Sequence, residues 1–183
     1  MLNLPNFLTL LRIFAIPVFL ILLGDQRHAE ALAVFVGAGI TDALDGAIAR
    51  MMHTKTTLGA YLDPAADKLL LLSAFISLAF MNEVPRWLTV VVISRDVVVV
   101  LGYFLLFTMT QETMEVRPTM SGKLSTFFQL ASVAVVLIRL VWPNVAHPVV
   151  EHTIFLAAAL LTTTAGVQYV HRGLVWAQVR GDA

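Results

Sequence analysis

Six apolar stretches run along the chain, at about 4–23, 30–50, 61–81, 86–109, 122–142 and 149–171. Between them lie short segments rich in Gly, Pro, Asn, Gln and charge. Each stretch approaches the roughly 20 residues an α-helix needs to cross a bilayer core. The pattern predicts an all-α, polytopic integral membrane bundle of six transmembrane helices. Val84-Pro85, Arg117-Pro118 and Trp142-Pro143-Asn144 mark three of the breaks, because proline disfavours helical backbone in the residue before it. Lys55-Thr56-Thr57-Leu58-Gly59 marks a fourth. No internal repeat or long linker interrupts the sequence, which predicts a single membrane domain over 1–183.

Composition agrees with this reading. Of 183 residues, 58% are hydrophobic and only 13% charged, about half the charge of a soluble domain, and the mean hydropathy is +0.83. The absence of cysteine excludes disulfide frameworks, thiolate catalysis and cysteine metal sites. Twelve acids balance twelve bases with no basic block, which argues against a nucleic-acid surface. The opening residues show no basic segment and no Ala-x-Ala site after the first apolar run, so the start reads as mature protein.

Lys and Arg then set the orientation. Arg12, Arg50, Lys55, Arg117, Lys123, Arg172 and Arg180 fall on one side of a six-span topology, and Arg27, Arg86 and Arg139 on the other. The positive-inside bias predicts that both termini are cytoplasmic, with the 51–60 and 110–121 loops. A bacterial cytoplasmic membrane is the expected location, its acidic residues facing the cytoplasm.

Charge inside the spans carries the chemistry. Arg12 falls in the first, Asp42 and Asp45 in the second, Asp63, Asp67 and Lys68 in the third, and Arg95 and Asp96 in the fourth. An ionisable side chain at membrane depth costs roughly 2.5–3.5 kcal/mol on insertion scales, so each needs a partner, a cavity or a function. Mutual pairing within the bundle accounts for Arg12 or Arg95, and Asp96 can neutralise Arg95. It does not account for four aspartates, which repel one another in low dielectric.

The aspartates are spaced as Asp42-x-x-Asp45-Gly46-x-x-Ala49-Arg50, eight residues, then Gly59-x-x-x-Asp63-x-x-x-Asp67. Spacings of three and four put each pair on one helix face. A short connection makes the two helices antiparallel neighbours, so the four carboxylates are expected to meet in one pocket. All-oxygen ligation suits hard divalent cations, and four carboxylates can hold two Mg²⁺ or Mn²⁺ ions, the pair that commonly serves phosphoryl displacement. Gly46 and Gly59 leave room for a bulky ligand, and Arg50 can fork onto phosphate oxygens. Ala49 reads most simply as a close-packing residue. An intramembrane acidic cluster also marks ion pathways, so a divalent cation transporter is the competing class, although it gives Arg50 no role.

The motif resembles that of the CDP-alcohol phosphotransferases, membrane enzymes of phospholipid synthesis, with no departure at any position. The opening Asn3-Leu4-Pro5-Asn6 through Leu10 and Arg12 is similar to the start of phosphatidylglycerophosphate synthases and cardiolipin synthases in that family. The resemblance implies six transmembrane helices, a homodimer, two divalent cations, and transfer of a phosphatidyl group from CDP-diacylglycerol to an alcohol with release of CMP. It further implies Asp42, Asp45, Asp63 and Asp67 as metal-site acids, Asp67 as the general base, and Gly46, Ala49, Arg50 and Gly59 as CDP-binding residues. With no Ser or His nucleophile beside the acids, direct displacement is expected rather than a covalent intermediate.

Acceptor choice rests on the later helices. Ser94-Arg95-Asp96, Arg117-Pro118-Thr119-Met120-Ser121-Gly122-Lys123 and Thr162-Thr163-Thr164 through Tyr169, His171 and Gly173 are similar to cardiolipin synthases of the eukaryotic type. Phosphatidylglycerophosphate synthases typically carry a Leu-Arg pair where Gly102-Tyr103 stands here. With fewer cations available, the expected acceptor is phosphatidylglycerol, giving cardiolipin, and the alternative is glycerol 3-phosphate. Arg95, Arg117 and Lys123 are the expected acceptor-phosphate contacts. Tyr169 and His171 read as interface anchors.

Overall fold

A computed structural model describes the backbone of residues 4–52, 57–110, 119–145 and 147–181, and the side chains of 9–42, 65–106, 108, 119–145 and 147–178. Described residues form six helices and no strand: α1 (Leu4–Gly24), α2 (His28–Met52), α3 (Thr57–Phe80), α4 (Arg86–Thr110), α5 (Met120–Val141) and α6 (Pro148–Gly181). They follow the six apolar stretches closely except at the end of the chain, where α6 continues ten residues past its expected stop. At 1.5 Å per residue α6 is roughly 50 Å long, well beyond a hydrocarbon core of about 30 Å. Three helical segments, Arg86–Leu106, Met120–Val141 and Pro148–Gln178, are long and apolar enough to cross a membrane, while the apolar Thr9–Gly24 is shorter.

Local signals explain the helix ends. α1 and α3 both stop with a residue in the left-handed region, Gln26 and Asn82, each at φ 60°. In the first turn Arg27 N–H donates to Leu22 O at 2.9 Å, and in the second Glu83 N–H donates to Leu78 O at 2.9 Å, which satisfies carbonyls the helix leaves free. Arg27 also forks onto Glu30 in the first turn of α2, its Nε 2.8 Å from Oε1. Thr119 caps α5, its Oγ1 accepting from Gly122 N–H at 3.0 Å.

The chain divides into two compact units, Met1–Val84 with Val133–His147, and Pro85–Ser132 with Pro148–Ala183. In the first, α1 packs on both α2 and α3. Its inward stripe is Thr9, Arg12, Phe19, Leu22 and Leu23, while Leu10, Leu11, Phe14, Val18 and Ile21 face outward. On α2 the buried stripe is Ala31, Phe35 and Ala38, with Phe35 stacked obliquely on Phe19 at 5.9 Å between ring centres. On α3 it is Ala66, Leu70, Leu71, Ala74, Phe75 and Leu78. Arg139, near the end of α5, bonds Glu83 at 2.9 Å.

In the second unit α4 packs on α6. Gly173 permits the approach, since a Cβ there would lie 3.1 Å from a Leu106 methyl. The first part of α5 contributes a polar seam: Gln129 Nε2 donates to Thr162 Oγ1 at 2.8 Å, both side chains buried, and Ser121 donates to Gln168 at 2.6 Å. Thr162→Val, which strands the buried Gln129 amide, is expected to cost about 1 kcal/mol. Adding Gln129→Leu should recover most of that loss, as read from thermal unfolding of the three variants in detergent.

Candidate active site

The buried stripes run straight into the acids. On α2 the series Ala31, Phe35, Ala38 continues at helical spacing to Asp42, and on α3 Leu78, Ala74 and Leu71 lead back to Asp67. Asp42 lies ten residues before the end of α2 and Asp67 ten after the start of α3. Both faces look onto α1, and there they meet Arg12. Its Nη2 is 3.1 Å from Asp42 Oδ1 and its Nη1 is 2.8 Å from Asp67 Oδ1.

The Arg12 side chain is only 1% exposed, whereas Asp42 and Asp67 are 42% and 43% exposed. The guanidinium is therefore buried, while the two carboxylates it holds are partly exposed. Among the described residues α1 contacts both α2 and α3, and the two acids converge on a residue that α1 supplies. Arg12 had been read as one of several charges needing a partner. Its signal was its isolation, the one charged residue in a helix that precedes two acidic ones.

The remaining motif residues are placed by backbone alone. Asp45, Gly46, Ala49 and Arg50 lie on α2, and Gly59 and Asp63 on α3, but their side chains are outside the described residues. Helical backbone puts Asp45 about one turn beyond Asp42 and Asp63 about one turn before Asp67. Among the described residues no group of three His, Cys, Asp or Glu side chains is assembled for a metal. The donor chemistry nonetheless fits a hard cation, because two partly exposed carboxylates from separate helices converge on one positive group.

In the second unit, Arg95 Nη1 is 2.7 Å from Asp96 Oδ1, the neutralisation the sequence anticipated. Its Nε has no hydrogen-bond partner among the described residues. The side chain lies over Gly166, where a Cβ would stand 3.3 Å from Arg95 Cγ, and Nη2 reaches toward Gly122 in the first turn of α5. Lys123, the next residue, is exposed, and Arg117 is outside the described residues. Arg95 also lines a cavity of about 520 Å³ between α4 and α6, with Val90, Val98, Thr163, Val167 and His171. His171, expected as an interface anchor, thus shares a largely aliphatic groove with the Arg95 guanidinium.

The family model for CDP-alcohol phosphatidyltransferases matches residues 2–165. The chain belongs to that family. Among similar proteins, a probable phosphatidylglycerophosphate synthase of Mycobacterium tuberculosis is 38% identical, over 94% of this chain and 82% of its own. The CDP-diacylglycerol–glycerol-3-phosphate 3-phosphatidyltransferase of Bacillus subtilis is 34% identical, over 92% and 94% respectively. A CMP-forming cardiolipin synthase of Rattus norvegicus is also 34% identical, over 97% of this chain and 63% of the rat protein. This CDP-alcohol phosphatidyltransferase is an integral membrane enzyme of phospholipid synthesis, and its relatives include both named activities.

Proposed function

We propose that this phosphatidyltransferase moves the phosphatidyl group of CDP-diacylglycerol onto phosphatidylglycerol, forming cardiolipin and CMP. The observation that carries the phosphoryl-transfer reading is the convergence of Asp42 and Asp67, from consecutive helices, on one cationic group. Asp42, Asp45, Asp63 and Asp67 would hold two divalent cations, Mg²⁺ or Mn²⁺. Such ions, when bound, neutralise the diphosphate and the charge that develops on the attacking and leaving oxygens.

The protein's own residues do the rest. Gly46, Ala49 and Gly59 give the CDP portion close access to the backbone, and Arg50 forks onto its phosphate oxygens. The acceptor hydroxyl forms a new bond to the lipid-bearing phosphorus as the bond to CMP breaks. Asp67 takes the hydroxyl proton, as a partly exposed carboxylate can. We place all six helices across the membrane, with both termini and the acidic centre on the cytoplasmic side of a bacterial inner membrane. A single domain over 1–183, working as a homodimer, completes the reading.

The Arg95 groove supports a lipid acceptor. It offers an aliphatic wall for an acyl chain and one guanidinium, already partly neutralised by Asp96, for a phosphate monoanion. The second reading, transfer to glycerol 3-phosphate, is favoured by the approach of Arg95 to the first turn of α5, where Lys123 adds charge suited to a phosphate dianion.

Product chromatography with each acceptor offered separately is expected to give cardiolipin from phosphatidylglycerol and no product from glycerol 3-phosphate; the reverse would establish the second reading. Asp67→Asn is expected to lower kcat by about 10²–10⁴-fold. Turnover near that of the unaltered enzyme would remove Asp67 as the base. Arg95→Ala is expected to raise the acceptor KM about tenfold, the size of one charge-assisted hydrogen bond, with the CDP-diacylglycerol KM unchanged.

A further inference from the structure

Arg12 is placed where a cation would be needed, and no step of the proposed reaction uses it. A guanidinium does not shed its proton in a protein, so its charge persists although the Arg12 side chain itself is buried. Its planar fork reaches Asp42 on α2 with one terminal nitrogen and Asp67 on α3 with the other. Thr9, one turn earlier, is buried on the same face. Two carboxylates on different helices are thus held to one guanidinium.

We propose that Arg12 is a positioning residue, the resident counter-cation of the acidic centre. It holds Asp42 and Asp67 together before a divalent cation binds, and it lowers the affinity with which that cation is taken up. This inference rests on the metal reading given above. Two consequences oppose each other. Without Arg12, like charges face one another in low dielectric and the metal-free protein loses stability. The same unbalanced charge attracts a divalent cation more strongly, and by linkage that cation restores more stability than it does in the unaltered protein. A merely structural Arg12 predicts the opposite, since loss of a structural residue loosens the site and weakens metal binding.

The test compares the full chain with Arg12→Gln and Arg12→Lys in detergent after removal of metal with EDTA. Thermal unfolding is followed with and without Mn²⁺, and free Mn²⁺ is titrated by electron paramagnetic resonance. Arg12→Gln is expected to melt about 5 °C or more below the unaltered protein without metal. It should bind Mn²⁺ about tenfold more tightly and gain more in melting temperature on binding. Arg12→Lys, whose compact ammonium cannot fork between two helices, should fall between the two in both readouts. Mn²⁺ affinity equal to or weaker than that of the unaltered protein would overturn the role of Arg12. Should Arg12→Gln fail to fold, the Arg12→Lys affinity decides by the same criterion. An unaltered protein that binds no Mn²⁺ would overturn the metal reading itself and this inference with it, whereas normal binding that no Arg12 substitution strengthens overturns this inference alone.

Discussion

Two carboxylates from successive helices share one buried guanidinium, and the arrangement of the first three helices follows from that requirement. In a chain with so little charge and so much apolar surface, acids at membrane depth repel one another unless a positive group lies between them. The group comes from α1, in which Arg12 is the one charged residue. Packing and electrostatics point the same way. Thr9, Phe19 and Leu23 turn α1 toward its neighbours, and the face they define is the one that carries Arg12. Ala31, Phe35 and Ala38 on α2 and Leu71, Ala74 and Leu78 on α3 form the complementary stripes, each leading to its aspartate. One guanidinium cannot balance the four acids of the motif. The excess negative charge is what the proposed divalent cations would neutralise.

The second unit meets the same constraint by different means. Arg95 is matched by its neighbour Asp96, one residue along the same helix, so no other helix is required to neutralise it. Hydroxyl and amide groups replace charge in holding α5 to α6, through Gln129 with Thr162 and Ser121 with Gln168. Small residues let α4 and α6 approach closely enough to leave a groove beside the guanidinium rather than fill it. The groove's aliphatic lining beside a partly neutralised cation suits the phospholipid acceptor we propose.

Much of this was legible in the sequence, for identifiable reasons. Helix breaks were marked by prolines that act locally: Pro85 between α3 and α4, and Pro143 just after α5. The end of α6 was not legible, because hydropathy falls near His171-Arg172 while nothing there stops a helix, and Gly173 packs against Leu106 instead of terminating the segment. The acids announced themselves by spacing, which is a property of one helix at a time. The partner of Asp42 and Asp67 did not, because it depends on α1 packing against both α2 and α3, and no local pattern encodes that. Arg12 was visible as a charge without a companion, but the companion lay in helices whose own pattern pointed to each other. The roles of Asp45, Asp63, Arg50 and the motif glycines rest on spacing and family membership, since their side chains lie outside the described residues.

The central claim is that the acids of α2 and α3 form one divalent-cation centre beside Arg12. Anomalous scattering at the manganese edge, from crystals of the active enzyme grown with Mn²⁺ and CDP-diacylglycerol, tests it most directly. The account predicts manganese peaks within coordination distance of the Asp42 and Asp67 carboxylates, completed by Asp45 and Asp63, with the CDP phosphates on the same ions. Manganese bound elsewhere in the enzyme, with these four carboxylates left without metal, would contradict it.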